Sequence, residues 1–215
     1  LAGVVFSLEE LHKNFSTEVL LSTMAATVSS DFVSSYVFGL QPVFDLTVAS
    51  RLPLSMYWMV LLLGLILGAL GVFYNFSIKF MQNFYDKISN RTVKIAIPFV
   101  MVILLGIFYS KTLGGGNSLV GQIAKGEMLI GALVLLLVIK FVFSAFSYCS
   151  GAPGGIFLPL LVLGAIIGGV FSETMGSITG FGDIYLSNFV ILGMVGYFSA
   201  IVRAPMTGVI LITEM

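Results

Sequence analysis

The stretch from Leu52 to Phe84 is apolar over more than thirty residues, and it constrains everything around it. A helix needs about 20 mainly apolar residues to cross the hydrocarbon of a bilayer. This stretch is therefore long enough to cross obliquely and to extend beyond it. Further apolar stretches predict whole or partial membrane helices at Leu1–Leu11, Val19–Leu40, Val93–Tyr109, Met128–Tyr148 and Ile156–Phe171. Two more, Asn188–Ala200 and Ala204–Met215, are too short to span simply. Ser and Thr are scattered through Val19–Leu40, which predicts that this helix packs against protein rather than lipid.

Composition agrees with this reading. Of 215 residues, 58% are hydrophobic and 9% are charged, whereas a soluble domain carries about 25% charged residues. Such a chain cannot cover a water-facing surface. Its formal net charge is zero, which argues against nucleic acid as a partner. Cys149 has no second cysteine to pair with inside the chain and reads as a small buried hydrophobe. His12, Lys13, Lys87, Arg91 and Lys94 fall in loops separated by two spans. Basic loops face the cytoplasm, so Gln41–Arg51 and Gly114–Glu127 are expected outside. The chain opens and closes in mid-helix text, with no signal peptide, which is read as an internal piece of a longer membrane protein.

The two ends resemble each other. LAGVVFSLEE, from Leu1, aligns without gaps on MTGVILITEM, from Met206, pairing Gly3 with Gly208 and Glu9 with Glu214. Inverted repeats place such copies in different halves of one transport fold.

The break at Ser150–Ile156, SGAPGGI, stands directly before the apolar segment FLPLLVLGAIIGG. Gly164, Gly168 and Gly169 read as small residues for close helix packing. The same explanation fails for Gly151, Pro153, Gly154 and Gly155, because proline lacks an N–H and glycines weaken a helix. Irregular backbone at membrane depth survives only where protein buries it or where it lines a watery cavity. A helix starting at Ile156 leaves its first N–H groups without intrahelical partners. With the positive end of the helix dipole, those donors suit an anion. The sequence places no Lys or Arg next to the break, so an anion held there by amides can also leave, as transport requires.

These motifs carry a family resemblance. GAPGGIFLP, Gly151–Pro159, resembles the third signature of the CLC family of chloride channels and proton/chloride antiporters. LAGVVFSLEE, RAPMTGVILITEM and the Gly-rich GGGNSLV resemble further segments of that family in the same order. The resemblance implies an all-α membrane fold of tilted and broken helices in inverted halves. Residues 1–50 would end the first half and 51–215 form most of the second, without the N-terminal and final helices. It implies a chloride site at Gly155, Ile156, Phe157 and Pro159, with backbone N–H groups of Ile156 and Phe157 on the ion. Gly155 would permit close approach, and Pro159 would sit in the first turn, where a missing N–H costs little. The serine, gating glutamate and tyrosine that complete the family's pore lie outside these residues.

Glu9 and Glu10 form the second constellation. Carboxylates in an apolar run are costly and mark functional candidates. The plain alternative is two solvated groups at a cytoplasmic helix end beside His12 and Lys13. The resemblance matches Glu10 to the internal proton-transfer glutamate of the antiporters, with Glu9 as a neighbour that tunes it or holds water. Among the remaining polar residues, Glu214 is expected to cap or pair, and Arg203 to satisfy a helix end or an acid. Glu18, Lys140 and Glu173 read as interfacial or snorkelling groups. Tyr148, Phe157, Tyr197 and Phe198 read as packing, with lining of a path as the alternative, and His12 as surface, with pH sensing as the alternative.

The expected function is chloride transport coupled to protons, without enzymatic activity, cofactor or metal, in a multi-pass membrane protein (the plasma membrane, if bacterial). A homodimer is expected through the Gly3–Leu11 and Gly208–Met215 helices. Alternatives are a passive chloride channel of the same fold and a non-transporting scaffold. A cation-coupled amino-acid transporter fits less well, because the break offers donors rather than carbonyl ligands.

Overall fold

The structure, a computed structural model, describes residues 2–13, 16–39, 50–109 and 114–214, together with Phe44, Leu46 and Val48. Among these residues there is no strand. The helices are α1 (Ala2–Phe6), which continues as a π turn over Ser7–Leu11, then α2 (Thr17–Phe38), α3 (Tyr57–Asp86) and α4 (Arg91–Phe108). They are followed by α5 (Asn117–Ala124), α6 (Ile130–Cys149), α7 (Phe157–Thr179), α8 (Leu186–Val202) and α9 (Pro205–Glu214). Leu54–Asp86, α4, α6 and α7 are long and apolar enough to cross a membrane, as expected of a multi-pass membrane protein.

Helix α7 is the centre of the fold. From Leu160 to Gly169 every one of its residues is buried. It packs most closely on α8, and glycine is the reason. A Cβ at Gly168 would lie on the Phe189 carbonyl, and one at Gly164 on the Gly193 carbonyl. The two backbones therefore touch with no side chain between them, the usual way membrane helices gain contact without a hydrophobic driving force. Gly169 does not share this face: it meets Ile123 of α5 and Leu133 of α6. Helix α3 docks on the other side of α8, where Gly71 meets Ala200 and Gly196 meets Leu67. Tyr74 is fully buried and donates its hydroxyl to Ser144 Oγ at 3.1 Å, while its ring meets Phe141 and Tyr197 edge-on.

Helix α7 also runs further than its apolar text, to Thr179 rather than Phe171. The polar SETMGSIT segment remains helical because Thr174, Ser177 and Thr179 donate their hydroxyls back to carbonyls four residues earlier. The same device recurs in α2, the helix of Val19–Leu40 in the sequence. No residue of α2 is buried within this chain. Thr23, Thr27 and Ser29 satisfy themselves on their own helix, with hydroxyl bonds of 2.6–2.9 Å to Val19, Thr23 and Ala25.

Helices α1 and α9 pack against each other antiparallel, and carboxylates hold both ends. Glu9 accepts from the backbone N–H of Thr207, and Glu214 accepts from that of Ala2, at 2.9 and 2.8 Å. These are equivalent positions of the end-to-end alignment. Thus Glu214 caps a helix, as expected. Arg203 is itself the left-handed residue that ends α8, with φ 64°.

Candidate functional site

The break between α6 and α7 is built from ordinary terminators. Ser150 follows the last turn of α6, donates its hydroxyl to the Ser147 carbonyl at 2.7 Å and accepts from the Ala152 N–H at 3.3 Å. Gly151 takes φ +75°, the left-handed conformation that commonly closes a helix. Pro153 then prevents the helix from resuming. Helix α7 begins at Phe157, with Ile156 as an N-cap whose side chain makes no capping bond. The first N–H groups of a 23-residue helix are thereby left without partners inside it. Pro159 is the third residue of α7, in its first turn.

This N-terminus forms one wall of a cavity of about 170 Å³, room for a small anion and a few waters at about 30 Å³ each. Gly155, Ile156 and Pro159 line it. Phe157 does not: its ring turns inward onto Phe198, 4.9 Å between centroids. The exposed loop of Gly151, Pro153, Gly154 and Gly155 is open on this chain rather than buried by it.

The opposite wall was missed by sequence reading. Lys140, Ser144 and Ser147 line the same cavity, so Lys140 is not merely an interfacial lysine and the break does have a cation nearby. Its Nζ donates to the Gly114 carbonyl at 3.4 Å. The signal was the spacing: residues 140, 144 and 147 occupy one face of α6, a polar stripe in an otherwise apolar helix. The Gly-rich loop completes the enclosure. Gly116 has φ +90°, and a Cβ there would lie 2.5 Å from Val162 Cγ2. Gly116→Ala is expected to lower stability by about 1–3 kcal/mol, read as a drop in thermal unfolding temperature in detergent. A native-like unfolding temperature would show that the loop has room to move.

A second polar region lies at the other end of α1. Its π turn is closed by the His12 N–H on the Ser7 carbonyl, 2.9 Å, and carries both glutamates. They diverge. Glu9 Oε1 accepts from the Met206 N–H at 3.2 Å, and Oε2 accepts from Thr207 N–H and Thr207 Oγ1 at 2.9 and 2.8 Å. Among the described residues the half-buried Glu10 pairs only with Lys13, at 3.9 Å, and with Glu9 it borders an open vestibule lined by Asn75, Lys79, Gln82 and Arg203. Lys13 and the C-terminal half of α3 meet there, so the two basic loops lie near one end of the structure. Tyr197 and Phe198 are core packing, whereas exposed Tyr148 lines the cavity at the break. Cys149 is half-buried, its Sγ 3.6 Å from the Ile78 carbonyl.

Among known proteins, the family model for voltage gated chloride channels matches residues 1–215. The H(+)/Cl(-) exchange transporter ClcA of Klebsiella pneumoniae (strain 342) is 32% identical over 226 residues, covering 100% of this chain and 47% of that protein. The protein of the same name from Yersinia pestis bv. Antiqua (strain Angola) is 32% identical over 222 residues, covering 100% and 46%. The chain therefore spans about half the length of the curated relatives it matches. The crystal structure of a slow cyanobacterial Cl-/H+ antiporter superposes with a TM-score of 0.86 at 26% identity, over 100% of this chain and 51% of that one. A CLC-type fluoride/proton antiporter shares the fold, with a TM-score of 0.74 at 22% identity over 96% of this chain and 51% of its own.

Proposed function

Because the chain belongs to the voltage gated chloride channel family, we propose that it forms the anion-holding part of a proton-coupled chloride antiporter. One observation carries the reading: a proline- and glycine-broken backbone delivers the unpartnered amides of α7 to a cavity with a polar opposite wall. Chloride is held at this helix start by the N–H groups of Ile156, which lines the cavity, and of Phe157, whose ring packs inward on Phe198, with Gly155 and Pro159 shaping the turn. The helix dipole adds a partial positive charge, and Lys140 raises the local anion concentration. Backbone donors without a full positive charge in direct contact bind weakly enough for rapid release.

Protons enter through Glu10 from the vestibule, and Glu10 is the inner proton site. The relatives named as exchange transporters support coupling over passive flow. The functional unit is a homodimer in the plasma membrane of a bacterium. Its contact is the α1/α9 pair, which leaves Leu11, Met206 and Val209 exposed. A monomeric full-length protein in membranes contradicts the dimer.

The reading is tested with the full-length protein in liposomes, recording chloride efflux and proton movement together under a chloride gradient. Uphill proton movement supports antiport, and chloride flow without it makes the protein a channel. The amide site has its own test in Phe157→Pro. Proline is well tolerated at the first position of a helix, yet it deletes one N–H from the site. A hydrogen bond to a charged group is worth about 1.5–3 kcal/mol, so chloride affinity is expected to fall roughly 10- to 100-fold. Phe157→Leu keeps the N–H, gives up the ring contact with Phe198, and is expected to stay within about threefold of native. Equal losses in both variants would assign the effect to the ring and remove the amide from the site.

A further inference from the structure

We propose that Glu9 is a positioning residue for Glu10: its three-donor clamp on the first turn of α9 fixes the π turn that aims Glu10 into the vestibule. This rests on the reading of Glu10 as the inner proton site.

Both Glu9 oxygens are occupied by donors, and Oε2 already has two hydrogens pointing at it, from the Thr207 amide and hydroxyl. A proton delivered to Glu9 would have to displace one of them. Glu10 has no such ring of donors, only Lys13 at 3.9 Å. Neighbouring side chains leave a helix about 100° apart. Both glutamates border the vestibule with Lys79 and Gln82 of α3, but only Glu9 has its oxygens taken up by α9, so anchoring Glu9 fixes the direction in which Glu10 leaves the turn. Single π turns inside helices are rare and occur frequently at functional sites, and the α9 clamp holds this one by its Glu9.

The repeat separates the clamp from proton chemistry. At the far end of the same helix pair, Glu214 accepts from the Ala2 N–H at 2.8 Å, the equivalent of the Glu9 bond to Thr207. In the alignment of the two ends, however, Met215 stands where Glu10 does. The repeat keeps the clamp glutamate where the second carboxylate is absent. The clamp thus belongs to the helix pair, and Glu10 is the residue that only one copy adds.

The test uses the full-length protein, with Glu9→Gln, Glu9→Ala and Thr207→Val. Glutamine keeps one acceptor oxygen. Valine removes one donor without touching a carboxylate. In liposomes the measured quantity is the ratio of proton to chloride flux, and amide exchange at Met206 and Thr207 is followed in parallel. The ratio is expected to fall on the order of tenfold in Glu9→Ala, with glutamine and valine intermediate. Exchange at Met206 and Thr207 is expected to quicken by about tenfold or more in Glu9→Ala.

The proposal is overturned if glutamine and alanine abolish proton flux equally while Thr207→Val behaves as native, since Glu9 is then a carrier. It is also overturned if both fluxes fall together at constant ratio, the mark of a role in folding alone, or if Glu9→Ala keeps the native ratio. If the native protein moves chloride without protons, the reading of Glu10 fails and the positioning role falls with it. Faster exchange in Glu9→Ala would in that case still establish the clamp.

Discussion

Glu10→Gln in the full-length protein is expected to lower proton flux by about 100-fold or more while chloride flux stays within about threefold of native. Glutamine matches glutamate in shape and cannot carry a proton, so the substitution isolates titration from packing. The half-buried position of Glu10 supports the selectivity of this effect. Among the described residues its only partner is Lys13, itself exposed, at 3.9 Å, and an exposed pair of this kind contributes little to stability. Losing the charge therefore costs the fold little, and a loss of protons without a loss of chloride reports chemistry. The measurement is the paired flux in liposomes. Chloride flow with native-like proton movement in Glu10→Gln would remove Glu10 from the proton path.

Gly168→Ala is expected to destabilise the protein by about 3 kcal/mol, because its new Cβ would lie on the Phe189 carbonyl and 2.9 Å from Val190 Cα. Neither neighbour is a flexible side-chain tip. Helix α8 has to move off α7, and its other contacts, with α3 and α9, move with it. Gly64→Ala is the control. It lies within α3, meets nothing within 4 Å, and replaces glycine by the best helix former. Thermal unfolding in detergent should separate the two clearly, with Gly168→Ala lower and Gly64→Ala at or above native. Equal behaviour would mean that the α7/α8 approach is looser than the structure describes.

The sequence and the structure divide the problem along physical lines. Length and apolarity located most of the apolar helices to within a few residues, though not the end of α7, which runs to Thr179 rather than Phe171, since hydrocarbon thickness is a one-dimensional constraint that a linear pattern can satisfy. The break at Gly151–Ile156 was legible for the same reason: proline and left-handed glycine act on their own backbone. The correspondence of the two ends was legible as text, and the matched bonds of Glu9 and Glu214 express it in space. The polar side chains were not legible in this way. Ser and Thr in α2 read as protein contacts, while in this chain their hydroxyls return to their own helix, and the same letters serve either use. Lys140 looked interfacial because its partner, the Gly114 carbonyl, lies in another segment.

The sequence by itself therefore determined the helical membrane class, the place where the helix after the break begins and the pair of carboxylates. Only tertiary structure decided which glutamate is bound and which is open, and which lysine faces the cavity. Helical propensity and hydropathy are local sums. Hydrogen bonds between α1 and α9, or between α6 and the Gly-rich loop, depend on how distant helices pack.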